Sequence, residues 1–256
     1  MATLTRQEAI ERFHLALLLV LPTHLPPASY AVKGGANLRL FLGSVRRSED
    51  IDFNFVGPAS WDLQVRIGSV MRSPALAALL DVNGIALQAV NPSKSTTTTG
   101  RWKLQLAAPG VQFSSKIEFS MRREDRPLYE LGPVSAPLAE AARLRVALAN
   151  HYLPTAAIEQ KIAALAYRNE SQARDIFDLD FLLTRHPADS AVAQSTAREL
   201  DLARNRVFDV SYREYRELVV TFLDPAFVTM YQGEGEWERM ALNVATRLDE
   251  MRGRAG

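Results

Sequence analysis

The sequence contains no cysteine and only four histidines in 256 residues. The first absence excludes disulfides and thiolate metal sites, and it suits a reducing compartment. The histidines (His14, His24, His151, His186) fall at no spacing that gives two imidazoles to one metal. Long apolar runs are missing too. The most apolar stretch, LALLLVL at 15–21, is well short of the roughly 20 residues that span a bilayer. Glu8 and Glu11 precede it and no small-residue cleavage site follows, so it reads as a buried helix rather than a signal peptide. The expectation is a cytoplasmic protein with no membrane partner. Nor is there an excess of either charge: 30 Lys and Arg balance 29 Asp and Glu. A polycationic nucleic-acid binder is excluded, although a local basic groove is not.

What is present is the composition of a globular chain, 47% hydrophobic and 23% charged, long enough for one large or two small domains. Thr5-Arg-Gln-Glu8 is a capping box and predicts a helix over 6–21. Pro22, Pro26 and Pro27 end it. A short strand follows at 29–33, a short helix at 36–43 and a strictly alternating strand at 50–56. Helical character at 61–71 is followed by strands at 84–90, 101–107 and 114–122, with a polar loop, NPSKSTTTTG, at 91–100. Pro127, Pro133 and Pro137 mark a connector. Beyond it the pattern is helical: 138–150, 155–169, 171–184, 189–204, 212–222 and 234–251. The fold class expected is α+β, with a mixed-sheet unit over 1–135 followed by a helical unit over 136–256.

The chemistry concentrates in YAVKGGANLRLFLGSVRRSEDIDFNFVG, residues 30–57. Alternation puts Asp50, Asp52 and Asn54 on one face of a strand and Ile51, Phe53 and Phe55 on the other. Two carboxylates two residues apart repel unless a cation or proton lies between them. A divalent metal with hard-oxygen preference, Mg²⁺ above all, removes that cost. Gly34 and Gly35 precede the short helix, where a backbone without Cβ atoms can turn sharply and present its N–H groups to a phosphate. A phosphate cradle and a carboxylate pair are parts of a phosphoryl- or nucleotidyl-transfer site. Taken singly, each also has a bland reading, as a structural turn and as a solvated strand face.

The order strand, Gly-Gly, helix, D-x-D strand resembles the nucleotidyltransferase superfamily. KGGANLRL, RRSEDIDF and IEQKIAALAYRNESQARDIFDLDFLL narrow the resemblance to the AbiEii-type nucleotidyltransferase toxins, a family that includes abortive-infection toxins and the tRNA-modifying MenT toxins of mycobacteria. The matching positions are Gly34, Gly35, Arg46, Ser48, Asp50 and Asp52, then Lys161, Ala164, Arg168, Arg174, Asp175 and Asp178. The resemblance implies a nucleotidyltransferase-like N-terminal domain and a helical domain whose Lys/Asp motif serves the active site. It implies an Mg²⁺-dependent enzyme that moves a nucleoside monophosphate from an NTP to an acceptor hydroxyl, the acceptor being the 3′ end of tRNA. It also implies a toxin with a cognate antitoxin protein. Alternatives are nucleotidylation of a protein, kinase-type transfer by the same site, and an NTP-binding module without turnover.

On this reading Asp50 and Asp52 are metal ligands and catalytic residues. Glu118 is the candidate third carboxylate, sharing a strand face with Lys116 and Ser120; a surface Lys–Glu–Ser row is the alternative. Gly34, Gly35, Arg46 and Ser48 are assigned to phosphate. Lys161 is assigned to the triphosphate and to catalysis, Arg168 to a phosphate or an acid, and Asp175 to orienting one of them or to general-base work. Lys161, Arg168 and Asp175 are seven residues apart. A straight helix would carry them over roughly 21 Å, so they can meet only if the helix breaks, near 169–171. Two weaker features are the basic cluster Arg122, Arg123 and Arg126, and the Tyr212/Tyr215 pair with Arg213 and Arg216. The former offers a polynucleotide track and the latter base stacking; a solvated edge and a half-core helix are the plainer readings.

Overall fold

The computed structural model describes residues 4–58, 62–93, 96, 98–122 and 128–254. The chain divides into two compact units, Met1–Gly43 with Arg47–Tyr152, and Ser44–Arg46 with Leu153–Gly256.

The first unit opens with α1 (Arg6–Val20), closed at its N-terminus by the Thr5/Glu8 capping box. Buried residues occur all round α1 from Ala9 to Val20, as an interior helix requires. β1 (Tyr30–Lys33), α2 (Gly34–Leu40) and β2 (Asp50–Phe55) follow. Next come α3 (Leu63–Met71), capped by Asp62, and α4 (Pro74–Asp81), capped by Ser73. Trp61, at the start of the expected helix, lies outside the described residues, and α4 was not expected. β3 (Ala86–Pro92), β4 (Thr99–Ala108) and β5 (Val111–Ser120) form a meander. Lys94, Ser95 and Thr97 of the polar loop lie outside the described residues, as do Arg123, Arg126 and Pro127.

The region after the connector corrects the sequence reading. The helix expected over 138–150 is a short α5 (Ala136–Ala141) followed by a strand. Strand β6 (Tyr129–Pro133) pairs antiparallel with β7 (Leu148–Tyr152), and β7 runs parallel to β1. Arg143, with φ 55°, is in the left-handed region just past α5 and stops the helix. The alanines of 147–149 have helical propensity, but strands on both sides of β7 satisfy its backbone instead. The sheet unit therefore runs to Tyr152, beyond the expected boundary at 135. Its seven strands stand in the order β3-β4-β5-β2-β1-β7-β6.

Central strands carry the alternation read from the sequence. Ile51 and Phe53 are fully buried, and Phe53 stacks on Phe119 of β5 with centroids 4.6 Å apart. Tyr30 and Trp102 meet the same aromatic group edge-on. Helix α1 packs on this apolar side, against β5, β7 and α4. The opposite side of β2, β5 and β4 is left polar, and it holds the carboxylates.

The second unit is helical: α6 (Pro154–Tyr167), α7 (Ala173–Arg185), α8 (Pro187–Val192), α9 (Ala197–Arg206), α10 (Tyr212–Leu218), α11 (Val228–Tyr231) and α12 (Glu234–Arg254). The helix expected over 189–204 is two, α8 and α9, separated before the Thr196/Glu199 capping box. Its core is built where α6, α7, α9 and α12 pack together, around buried Ile162, Leu165, Leu179, Leu182, Met240 and Val244. Tyr215 is fully buried, stacks on Trp237 at 4.7 Å and donates its hydroxyl to the Tyr231 carbonyl. Tyr215 is therefore a packing residue, while Tyr212 beside it is half-buried, the half-core arrangement that helical spacing suggested. Ser44–Arg46, between α2 and β2 in sequence, belongs to this unit: Arg46 bridges Leu223, and Asp224 N–H donates to the Val45 carbonyl. Among the described residues no helix is long and apolar enough to cross a membrane.

Candidate active site

Strand register assembles the carboxylates. β2 and β5 are parallel, with Asp50 opposite Lys116 and Asp52 opposite Glu118. β1 is antiparallel to β2 and sets Lys33 opposite Asp52; β4 sets Arg101 opposite Glu118. Directly opposed residues share a face. One polar face thus carries Asp50, Asp52 and Glu118, the three sequence candidates, amid Lys33, Lys116 and Arg101.

Two of these cations are engaged. Lys116 Nζ lies 2.9 Å from Asp50 Oδ2 and 4.0 Å from Glu118 Oε2. Arg101 places Nε 2.7 Å and Nη2 2.6 Å from Glu118 Oε2. Asp52 has no hydrogen bond or ion pair among the described residues. Burial pushes its carboxyl above the ordinary range; Lys116 opposes this, Glu118 and Asp50 add to it, and Lys33 opposes it more weakly.

Gly34 presses on that carboxylate. Its φ is +66°, and a Cβ there would stand 3.0 Å from Asp52 Oδ2. The first glycine is thereby explained twice, by a left-handed backbone and by the close approach of an acid. Gly34, with its left-handed backbone, makes the turn into α2 (Gly34–Leu40). Ser48 donates to the Asp50 carbonyl at 2.8 Å and braces the start of β2.

Among the described residues no three acidic or histidine side chains already stand as a metal site, and Lys116 and Arg101 are paired with two of the acids. The donor chemistry nevertheless fits a hard divalent cation. The oxygens are carboxylates, and Asp52 is partly buried, unpartnered and held towards its protonated form, as a negative charge short of compensation is.

In the helical unit the expected break is present. α6 stops at Tyr167, Arg168 has extended backbone (φ −65°, ψ 149°), and α7 starts at Ala173. Arg206 of α9 caps the broken end, donating to the carbonyls of Leu165, Ala166 and Asn169. The break turns the chain back, so Lys161 Nζ reaches Asp175 Oδ1 at 2.8 Å and Asp178 Oδ2 at 2.5 Å. Arg168 Nη1 lies 2.9 Å from Asp175 Oδ2 and donates to Gln172 at 2.6 Å. Arg46 forks onto Asp178, Nε to Oδ1 at 2.9 Å and Nη2 to Oδ2 at 2.8 Å.

Three cations thus surround two fully buried carboxylates. Burial alone would raise the Asp178 carboxyl, but Arg46 and Lys161 outweigh it and hold it at about 2. Lys161, Arg168 and Asp175 are brought together by the break between α6 and α7. Arg46 is placed differently: its side chain is 7% exposed and its fork is on Asp178, where the sequence suggested a phosphate. Asp178, which appeared only as part of a motif, is the centre of the cluster. Arg174 is exposed.

The chain resembles solved structures over nearly its whole length. A candidate nucleotidyltransferase from Helicobacter pylori is 19% identical, with a TM-score of 0.59 over 98% of this chain and 97% of that one. JHP933 from Helicobacter pylori is 18% identical, with a TM-score of 0.57 over 99% and 95%. The nucleotidyltransferase toxin MenT4 from Mycobacterium tuberculosis is 18% identical, with a TM-score of 0.55 over 97% and 87%. Comparison with curated proteins finds no match. The model of the AbiEii family, described as the nucleotidyl transferase toxin of type IV toxin–antitoxin systems, matches residues 16–250. With the match spanning both units, the chain belongs to the AbiEii family of nucleotidyltransferase toxins.

Proposed function

We propose that this toxin transfers a nucleoside monophosphate from an NTP to the 3′-terminal hydroxyl of tRNA, releasing pyrophosphate, with Mg²⁺ as its metal. The observation that carries the reading is the Asp50/Asp52 pair on β2, with Asp52 unpartnered and Gly34 backed against it. The tRNA acceptor rests on the resemblance of the sequence motifs to the MenT toxins. Asp50 and Asp52 would hold the metal, and Glu118, opposite Asp52, adds a third carboxylate to the face. A divalent metal there supplies charge stabilisation at the phosphoryl oxygens and makes the attacking hydroxyl more acidic.

The remaining roles belong to side chains of the protein. Lys116 and Arg101 balance Asp50 and Glu118, which leaves Asp52 as the unpartnered acid of the face. In the helical unit Asp175 and Asp178 orient Lys161, Arg168 and Arg46. Arg168, with 38% of its side chain exposed, is the part of that surplus positive charge most open to an anion. Asp175 is fully buried, its Oδ1 accepts from Lys161 at 2.8 Å, and its Oδ2 lies 2.9 Å from Arg168 without a hydrogen bond. We assign it the orienting role rather than general-base work.

The test is incubation of the purified protein with α-labelled NTPs, Mg²⁺ and total tRNA. Labelled tRNA that disappears in Asp52→Ala supports the reading. Label on a polypeptide that survives RNase would move the acceptor to a protein, and transfer of a γ-label alone would make the reaction a phosphorylation. Absence of any product with all four NTPs would sink it.

A further inference from the structure

Lys116 occupies an unusual place for a surface lysine. It is opposite Asp50 across β2 and β5, and its ammonium sits 2.9 Å from one oxygen of Asp50, with Glu118 4.0 Å away. The pair is only partly buried, with side chains 31% and 35% exposed. An ion pair so placed contributes little to stability, so the fold does not depend on it. Its position matters more: the ammonium lies on one of the two carboxylates that a divalent metal would use. A lysine ammonium and a divalent ion repel strongly at such separations. A metal that takes Asp50 Oδ2, the oxygen Lys116 holds, displaces Lys116.

Where it can go follows from charge. A nucleoside triphosphate arrives with its own negative oxygens, and Lys116 has a flexible four-carbon stem ending in a point charge. Arg101 holds Glu118 with two nitrogens, so that acid is already balanced. We propose that Lys116 is an exchanging counter-ion, paired with Asp50 when no metal is bound and with a phosphate oxygen of the nucleotide when metal is bound. The proposal rests on the reading of Asp50 and Asp52 as the metal pair. It adds Lys116 to the nucleotide-binding residues, and it makes metal and nucleotide binding mutually favourable, because each removes a cost imposed by the other's absence.

The experiment is titration of the full chain with Mn²⁺, reading free Mn²⁺ by its electron paramagnetic resonance signal. It is repeated in the presence of each of four NTP analogues with a non-hydrolysable α,β-methylene bridge. In the native chain Mn²⁺ alone should bind weakly, and more tightly with the preferred analogue. Lys116→Met keeps the apolar stem and removes the competitor. It should bind Mn²⁺ alone about fivefold more tightly, the upper end of what such a pair resists, and bind the Mn²⁺–analogue complex less tightly than the native chain. Lys116→Gln should behave like Lys116→Met, and Lys116→Arg should keep the native coupling. A merely structural lysine would weaken both equilibria together or leave both unchanged; either result overturns the exchange. If the native chain binds Mn²⁺ through Asp50, shown by loss in Asp50→Asn, and Lys116→Met matches it, the exchange fails while the metal reading stands. No Mn²⁺ binding by the native chain, with or without analogue, would remove both.

Discussion

Replacing Asp178 by asparagine tests the buried charge cluster directly. The change keeps the shape of the side chain but deletes a charge that Arg46 and Lys161 share. The carboxyl is held at about 2 against an ordinary 3.8, a difference on the order of 2 kcal/mol. Leaving Arg46 buried without its acid brings the cost towards the range of about 3–5 kcal/mol seen when one member of a buried pair is removed. For a chain of this size each kcal/mol moves the midpoint by about 2–4 °C, so the helical unit should melt about 10 °C lower. Differential scanning calorimetry at pH 7 measures this, and hydrogen exchange should place the loss at the α6–α7 junction. Glu217→Gln is the control, since it breaks an Arg213 pair that is almost fully in water, and it should leave the transition where it is. The folded-state value lies below the ordinary one, so the contribution is complete above about pH 3.8 and fades as the pH falls towards 2. The gap between native and variant should close over that window. A shift of less than about 3 °C at pH 7, equivalent to about 1 kcal/mol, would refute the account of the cluster.

Gly34→Ala places a Cβ 3.0 Å from Asp52 Oδ2 in a backbone at φ +66°; it should cost about 1–2 kcal/mol and weaken Mn²⁺ binding, and a native-like affinity would show that the close approach is dispensable. Asp52→Asn removes a partly buried charge with no partner among the described residues, so without metal it should melt above the native chain and gain nothing from added Mg²⁺; a lower midpoint in a thermal melt contradicts this. His14 is buried and its imidazole is held down to about 3, so the unfolded chain takes up a proton that the folded one refuses. Stability is then complete above pH 6.5 and falls by about 2 kcal/mol by pH 5; urea melts of native and His14→Phe should show that loss in the native chain alone.

Much of the first unit was legible because its signals are local. The Thr5/Glu8 capping box marks the start of α1 where the structure has it. The alternation of 50–55 separates Ile51 and Phe53 from Asp50 and Asp52 without knowledge of any neighbour. The break at 168–172 could be inferred because Lys161 and Asp175 cannot otherwise meet. Strand β7 was not legible. Its residues favour helix weakly, and pairing with β1 and β6 outweighs that preference. Tyr215 was ambiguous until Trp237, on another helix, covered it.

The sequence by itself determined which segments bear the carboxylates, which face of β2 they share, and that a glycine pair precedes them in order, since these depend on period and order along the chain; the approach of Gly34 to Asp52 comes from the pairing of β1 with β2. The tertiary structure decided the partners. Lys116 meets Asp50 through strand register, and Arg46 meets Asp178 across 132 residues because Ser44–Arg46 folds with the helices. Salt bridges act over a few ångströms of space, and no pattern of neighbours in sequence encodes which distant residue will occupy them.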